Sequence, residues 1–131
     1  MSKYNFIVID DSELDCYIAE KMIRYSGLSE DVKCFTGANE ALQYVKDKDV
    51  AENDLQTVVI LDVLMPIMSG FDYMDEFDKL PPEVKRKYQV IALTSSMNRN
   101  DIERIRSYDS VFDILDKPLS AESIAVLLSK L

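Results

Sequence analysis

A doubly wound α/β domain built on a five-stranded parallel sheet is the fold that this sequence predicts. Three observations predict it. Short apolar runs alternate five times with segments of helical periodicity. The runs are nearly continuously apolar, as in strands covered on both faces, rather than alternating as in strands with one wet face. The connections are modest, which suits strand–helix–strand units. At 131 residues the chain is large enough for one domain with a proper core.

The first strand is residues 4–9, "YNFIVI", rich in β-formers, with Asp10-Asp11-Ser12 at its end. Leu14, Ile18, Met22 and Tyr25 then recur at helical spacing, Asp11 or Ser12 is the N-cap, and Gly27 is a natural C-cap. A short strand at 32–35 precedes a helix at 39–46 with Ala41, Leu42 and Val45 on one face. Residues 46–56 are polar and read as a surface connection. The third strand is 57–61, and the third helix is 71–80, closed off by Pro81-Pro82. A strand at 89–93, "QVIAL", leads into Thr94-Ser95-Ser96 and a more polar helix at 98–107 with Ile102 and Ile105. The fifth strand is 111–115, followed by Asp116-Lys117-Pro118 and a last helix at 120–131 carrying Ile124, Leu127, Leu128 and Leu131. No repeat or linker interrupts this order, so residues 1–131 are read as a single domain with no output domain, Met1 and Leu131 suiting a complete small protein.

Composition narrows the function. The net charge is −9 with no basic run, a poor match to the phosphate neutralisation that nucleic-acid binding requires. No apolar run approaches the roughly 20 residues that span a bilayer, and the first residues lack a signal-peptide layout, so a cytoplasmic protein without membrane insertion is expected. There is no histidine, so a metal site must use oxygen ligands and suits Mg²⁺, with Mn²⁺ or Ca²⁺ as alternatives. Cys16 and Cys34 are too few for a disulfide scaffold, adjoin no basic cluster in sequence, and read as reduced core thiols.

Polar residues gather just after the strands: Asp10 and Asp11, Asp62, Thr94 and Ser95, and Lys117. Open α/β sheets bind ligands at the carboxyl ends of their strands. Three clustered carboxylates repel unless a cation intervenes, and Mg²⁺ with one or two carboxylates and phosphate oxygens removes the conflict. Lysine and a hydroxyl suit an incoming phosphoryl group, and Asp62 suits the nucleophile that receives it. Taken singly, each has an ordinary reading: Asp10 and Asp11 as caps, Asp62 as a turn acid, Thr94 as a cap, Lys117 as a surface charge.

The stretches "FIVIDDSE" (6–13), "VVILDVLMPIMSG" (58–70), "VIALTSS" (90–96) and "ILDKPLS" (114–120) carry a resemblance over essentially the whole chain. They resemble the response-regulator receiver domains of two-component signalling, the CheY-like family, here of the stand-alone type. The resemblance implies a flavodoxin-like (βα)5 fold with strand order 2-1-3-4-5. It implies Asp62 as phosphoacceptor, and Asp10, Asp11, Asp62 and the Leu64 carbonyl as Mg²⁺ ligands. Lys117 would hold the phosphoryl charge, Thr94 would bond a phosphoryl oxygen, and Lys117-Pro118 would be a cis peptide. The implied partners are a sensor histidine kinase or histidine phosphotransfer protein and a downstream protein target, with the chain a monomer or weak dimer. The face formed by the fourth helix, fifth strand and fifth helix would signal, and catalysis would be limited to the protein's own phosphorylation and slow dephosphorylation.

Two departures bear on switching. The position three before the lysine, usually aromatic in receivers, is Ile114, while Phe112 lies two residues earlier. Leu64 and Ser96 stand where receivers tune attack by water, and an apolar Leu64 suits a long-lived phosphoryl group. Two alternatives stay open: a receiver fold that no longer cycles phosphate, and a Mg²⁺-dependent phosphohydrolase of the haloacid dehalogenase type. The latter usually carries Asp-x-Asp where this chain has Asp10-Asp11-Ser12.

Overall fold

The five apolar runs form five strands: β1 (Tyr4–Ile9), β2 (Val32–Phe35), β3 (Gln56–Asp62), β4 (Tyr88–Thr94) and β5 (Val111–Asp116). The structure, a computed structural model, describes residues 4–27, 31–47, 56–63, 69–94, 98–117 and 119–130. All neighbouring strands pair in parallel, in the order β2-β1-β3-β4-β5. The chain winds outward from β1 to β2 on one side and from β3 to β5 on the other. The reversal falls between β1 and β3, where such sheets open a ligand crevice.

Alternation along the strands divides the core into two layers. Ile7, Ile9, Val59, Leu61, Val90 and Ala92 face one way. They meet Ala41 and Leu42 of α2 (Ala38–Asp47), Tyr73 and Phe77 of α3 (Gly70–Phe77), and Ile105 of α5 (Arg99–Arg106). Phe6, Val8, Val58, Ile60 and Leu93 face the other way, onto α1 (Glu13–Tyr25) and α6 (Ala121–Leu128). Helices therefore cover both faces, as expected for strands apolar on both sides.

Several sequence expectations shift. The third helix ends at Phe77, and Pro82 starts a separate single turn, α4 (Pro82–Lys85), which suits proline's fixed φ and missing N–H at a first helical position. β5 is half-buried along most of its length, as befits an edge strand, rather than a buried run. In α1 the residues at helical spacing are not the ones that meet the sheet. Its core face is Cys16, Ala19 and Ile23, whereas Leu14 and Tyr25 point outward and Ile18 and Met22 are half-buried. Cys16 is buried as expected, but Cys34 is exposed and no core residue. Ser12 is the N-cap of α1, and Gly27 follows the last turn with φ +76°, a left-handed conformation that glycine adopts without steric penalty.

Candidate functional site

Strand length decides what reaches the C-terminal rim. β3 and β4 each run one residue past the apolar run read from sequence, so Asp62 and Thr94 are the last residues of their strands. Asp10 directly follows β1. All three are buried. Asp10 is fixed locally: its Oδ1 accepts the Ser12 N–H at 3.0 Å, and the Ser12 Oγ in turn accepts the Asp15 N–H at 3.2 Å, capping α1. Lys117 is tethered by its backbone, whose N–H donates to the Thr94 carbonyl at 2.8 Å. Behind Asp62, α3 begins with a capping box between Ser69 and Asp72, and the Gly70 N–H donates to the Val63 carbonyl at 2.9 Å.

The side chains converge. Lys117 Nζ lies 2.9 Å from Asp10 Oδ2, 3.3 Å from Asp15 Oδ2 and 3.4 Å from Asp62 Oδ2. Burial opposes the lysine's charge, but the hydrogen bond to Asp10, the charge of Asp62 and the bond to Asp15 outweigh it. The ammonium is held well above the usual lysine range. Asp10, Asp11 and Asp62 each offer an oxygen, and these oxygens all lie within 4.8 Å of one another. Asp11 is the exposed member. Three carboxylates thus meet one ammonium, and a fourth, Asp11, stands beside two of them. Such an all-oxygen, anionic set fits a hard divalent cation, and Mg²⁺ in particular, which binds through one or two carboxylates and keeps waters.

Asp15 is the residue that sequence reasoning missed. Its signal was present: a Ser-x-x-Asp step places an acid in the first turn of α1, one turn after the acidic pair. Its side chain is 45% exposed, so water screens its bond to Lys117. Asp15→Asn is expected to change unfolding free energy by less than about 1 kcal/mol, measured by urea denaturation without metal. A larger loss would show that Asp15, rather than Asp10, anchors the lysine.

The expected switch positions resolve in part. β4 and β5 slip register between Val90 and Ile91: Val90 pairs Val111 while Ile91 pairs Asp113, leaving Phe112 as the extra residue of a bulge. The bulge turns Phe112 onto the α1–α6 layer, while Ile114 packs on the opposite layer. Phe112 therefore does not substitute for an aromatic at position 114. Leu64, Ser95, Ser96 and Pro118, and with them the Lys117-Pro118 peptide, lie outside the described residues.

Fold and rim together define a flavodoxin-like protein with an acidic, oxygen-rich site at its topological switch point. The chain belongs to the response regulator receiver domain family, whose sequence model matches residues 6–129. It is a receiver domain of two-component signalling. It is 30% identical over 132 aligned positions to the aerobic respiration control sensor protein ArcB of Escherichia coli. That alignment covers 96% of this chain but 15% of ArcB, so the chain spans a small part of the relative's length. A response regulator receiver protein from Dyadobacter fermentans superposes with a TM-score of 0.86 at 28% identity, covering 97% of this chain and 96% of that one. The receiver domain of sensor histidine kinase PA1611 from Pseudomonas aeruginosa shares the fold, with a TM-score of 0.74 at 18% identity, covering 99% of this chain and 97% of that one. That structure is described with a magnesium ion in its active-site cleft. Family membership leaves the phosphohydrolase reading without support.

Proposed function

We propose that Asp62 accepts a phosphoryl group from a histidine kinase or histidine phosphotransfer protein, and that the domain signals by altering the face formed by α5, β5 and α6. The observation that carries this reading is the position of Lys117, whose ammonium bridges Asp10 and Asp62 at the switch point. A carboxylate oxygen of Asp62 attacks phosphorus in line. The P–N bond to the donor imidazole breaks, and its electron pair stays with that nitrogen. Lys117 is placed to exchange its contact with Asp62 for one with the transferred phosphoryl oxygens. The Thr94 hydroxyl, at the end of the neighbouring strand, donates to another of those oxygens. Asp10, Asp11 and Asp62, with the Leu64 carbonyl, would hold Mg²⁺, which when bound neutralises charge on the transferring group.

Within that face, α5 is the least firmly held element. Ile105 is the buried residue of α5. Otherwise α5 and the turn after it are held by Arg104 to Asp75 at 3.2 Å, Arg104 over the Phe71 ring at 4.4 Å, the Tyr108 hydroxyl donating to Asp75, and Arg106 to Asp113 of β5 at 3.4 Å. Such sparsely buried elements shift at low free-energy cost. With Ile114 in the aromatic's usual place, movement of α5 carries the change.

The test is incubation with Mg²⁺ and phosphoramidate or acetyl phosphate, beside Asp62→Asn, read by intact mass. One phosphoryl addition in wild type and none in the variant is the expected result. If wild type gains none and also fails to bind beryllofluoride, the proposal falls and the domain is a non-cycling interaction module.

A further inference from the structure

Cys16 and Cys34 take no part in the chemistry at the rim, yet they stand together beside it. Cys16 sits in the first turns of α1, and Cys34 on the edge strand β2. The Cys16 thiol donates to the Asp10 carbonyl at 3.3 Å and lies 3.7 Å from the Phe35 carbonyl. Cys34 Sγ lies 3.8 Å from the Cys16 carbonyl. The Cys34 sulfur therefore reaches the backbone of Cys16, and the Cys16 sulfur reaches the residue after Cys34 on β2. Each thiol is the largest influence on the other's acidity, lowering Cys34 and raising Cys16. Burial and the charge of Glu20 oppose the lowering at Cys34, and Arg24 adds to it.

Burial makes the pair asymmetric. Cys16 is buried and Cys34 is exposed. Packing explains a buried cysteine, since free cysteine behaves as a small apolar residue. It does not explain an exposed one on an edge strand. An accessible thiol poised next to a second, shielded thiol is the arrangement found in redox-sensing pairs.

We propose that Cys34 and Cys16 form an oxidisable dithiol, with Cys34 reacting first with a peroxide and Cys16 resolving it to an intramolecular disulfide. In the first step Cys34 sulfur attacks a peroxide oxygen. The O–O bond breaks, giving Cys34 sulfenic acid and one water. In the second step Cys16 sulfur attacks the Cys34 sulfur. The S–S bond forms, the S–O bond breaks, and the hydroxyl leaves as a second water with the Cys16 proton. One hydrogen peroxide is reduced to two waters as two thiols are oxidised. The disulfide has no proton to donate, so the bond from Cys16 to the Asp10 carbonyl is lost, and oxidation is felt at the residue that opens the acidic site.

The experiment treats reduced, metal-free protein with hydrogen peroxide, alkylates the remaining thiols and reads intact mass and peptide maps. Wild type is expected to lose both thiols together, become about 2 Da lighter, stay monomeric and revert with dithiothreitol. Cys16→Ser, or Cys16→Ala if the serine variant fails to fold, is expected to accumulate Cys34 sulfenic acid trapped by dimedone. Cys34→Ser is expected to keep Cys16 unmodified at the same dose. The proposal is overturned if wild type keeps both thiols, if it traps dimedone as fully as the Cys16 variant, or if the product is a covalent dimer through Cys34.

Discussion

Replacing Lys117 with methionine is expected to slow phosphorylation by acetyl phosphate by about 10²–10³-fold, the usual consequence of removing one preorganised charge from a developing anion. Methionine keeps most of the length and apolar stem of lysine and removes the ammonium that lies 2.9 Å from Asp10 and 3.4 Å from Asp62. A second effect separates electrostatics from packing. Asp10 and Asp62 have side chains only 5% and 7% exposed, so losing the cation leaves two buried carboxylates facing each other. Metal-free Lys117→Met is therefore expected to lose about 2–4 kcal/mol of unfolding free energy, near the range for breaking a buried ion pair from one side. Asp62→Asn removes one of the repelling charges instead and is expected to lose much less. Phosphorylation is followed by intact mass against time, and stability by urea denaturation. Equal losses in the two variants would refute the charge argument, since a packing role has no reason to depend on the sign of the group removed.

The same electrostatics explains which parts of the site were legible in sequence. Asp10, Asp62, Thr94 and Lys117 each follow an apolar run, and parallel strands of matched register must deliver such residues to one rim. Asp15 lies outside that logic, because it reaches the rim from a helix rather than from a strand end. The α1 periodicity located the helix but left its core face open. Leu14, Ile18, Met22 and Tyr25 mark a helical period but not the core face, since the contact with the sheet is made by Cys16, Ala19 and Ile23, two of them small enough to let the helix lie close. Position 112 was ambiguous because a bulge breaks the two-residue alternation from which facing is read. The pairing of Cys16 with Cys34 was invisible for a simpler reason. It depends on how α1 docks on β2, and no spacing in the chain encodes that contact.

Gly70→Ala is expected to destabilise the fold by about 1–3 kcal/mol, the range for overfilling a packed site. A Cβ at Gly70 would stand 2.7 Å from the Val63 Cα and 3.1 Å from the Asp62 carbonyl oxygen. Both neighbours are backbone, so neither can rotate away. The first turn of α3 must instead retreat from the end of β3, weakening the Gly70–Val63 hydrogen bond and the packing of Phe71, Met74 and Phe77. Gly37 supplies the control. A Cβ there meets the end of the Glu40 side chain, which is exposed and free to swing, so Gly37→Ala should stay within about 0.5 kcal/mol of wild type. Urea midpoints compare the two directly. Because the strand end that Gly70 supports is the one that presents Asp62, Gly70→Ala should also slow phosphorylation by acetyl phosphate, and Gly37→Ala should not. If Gly70→Ala lowers stability yet leaves that rate intact, α3 supports the fold without positioning the acceptor. If both variants melt alike, close approach to β3 is not what position 70 requires.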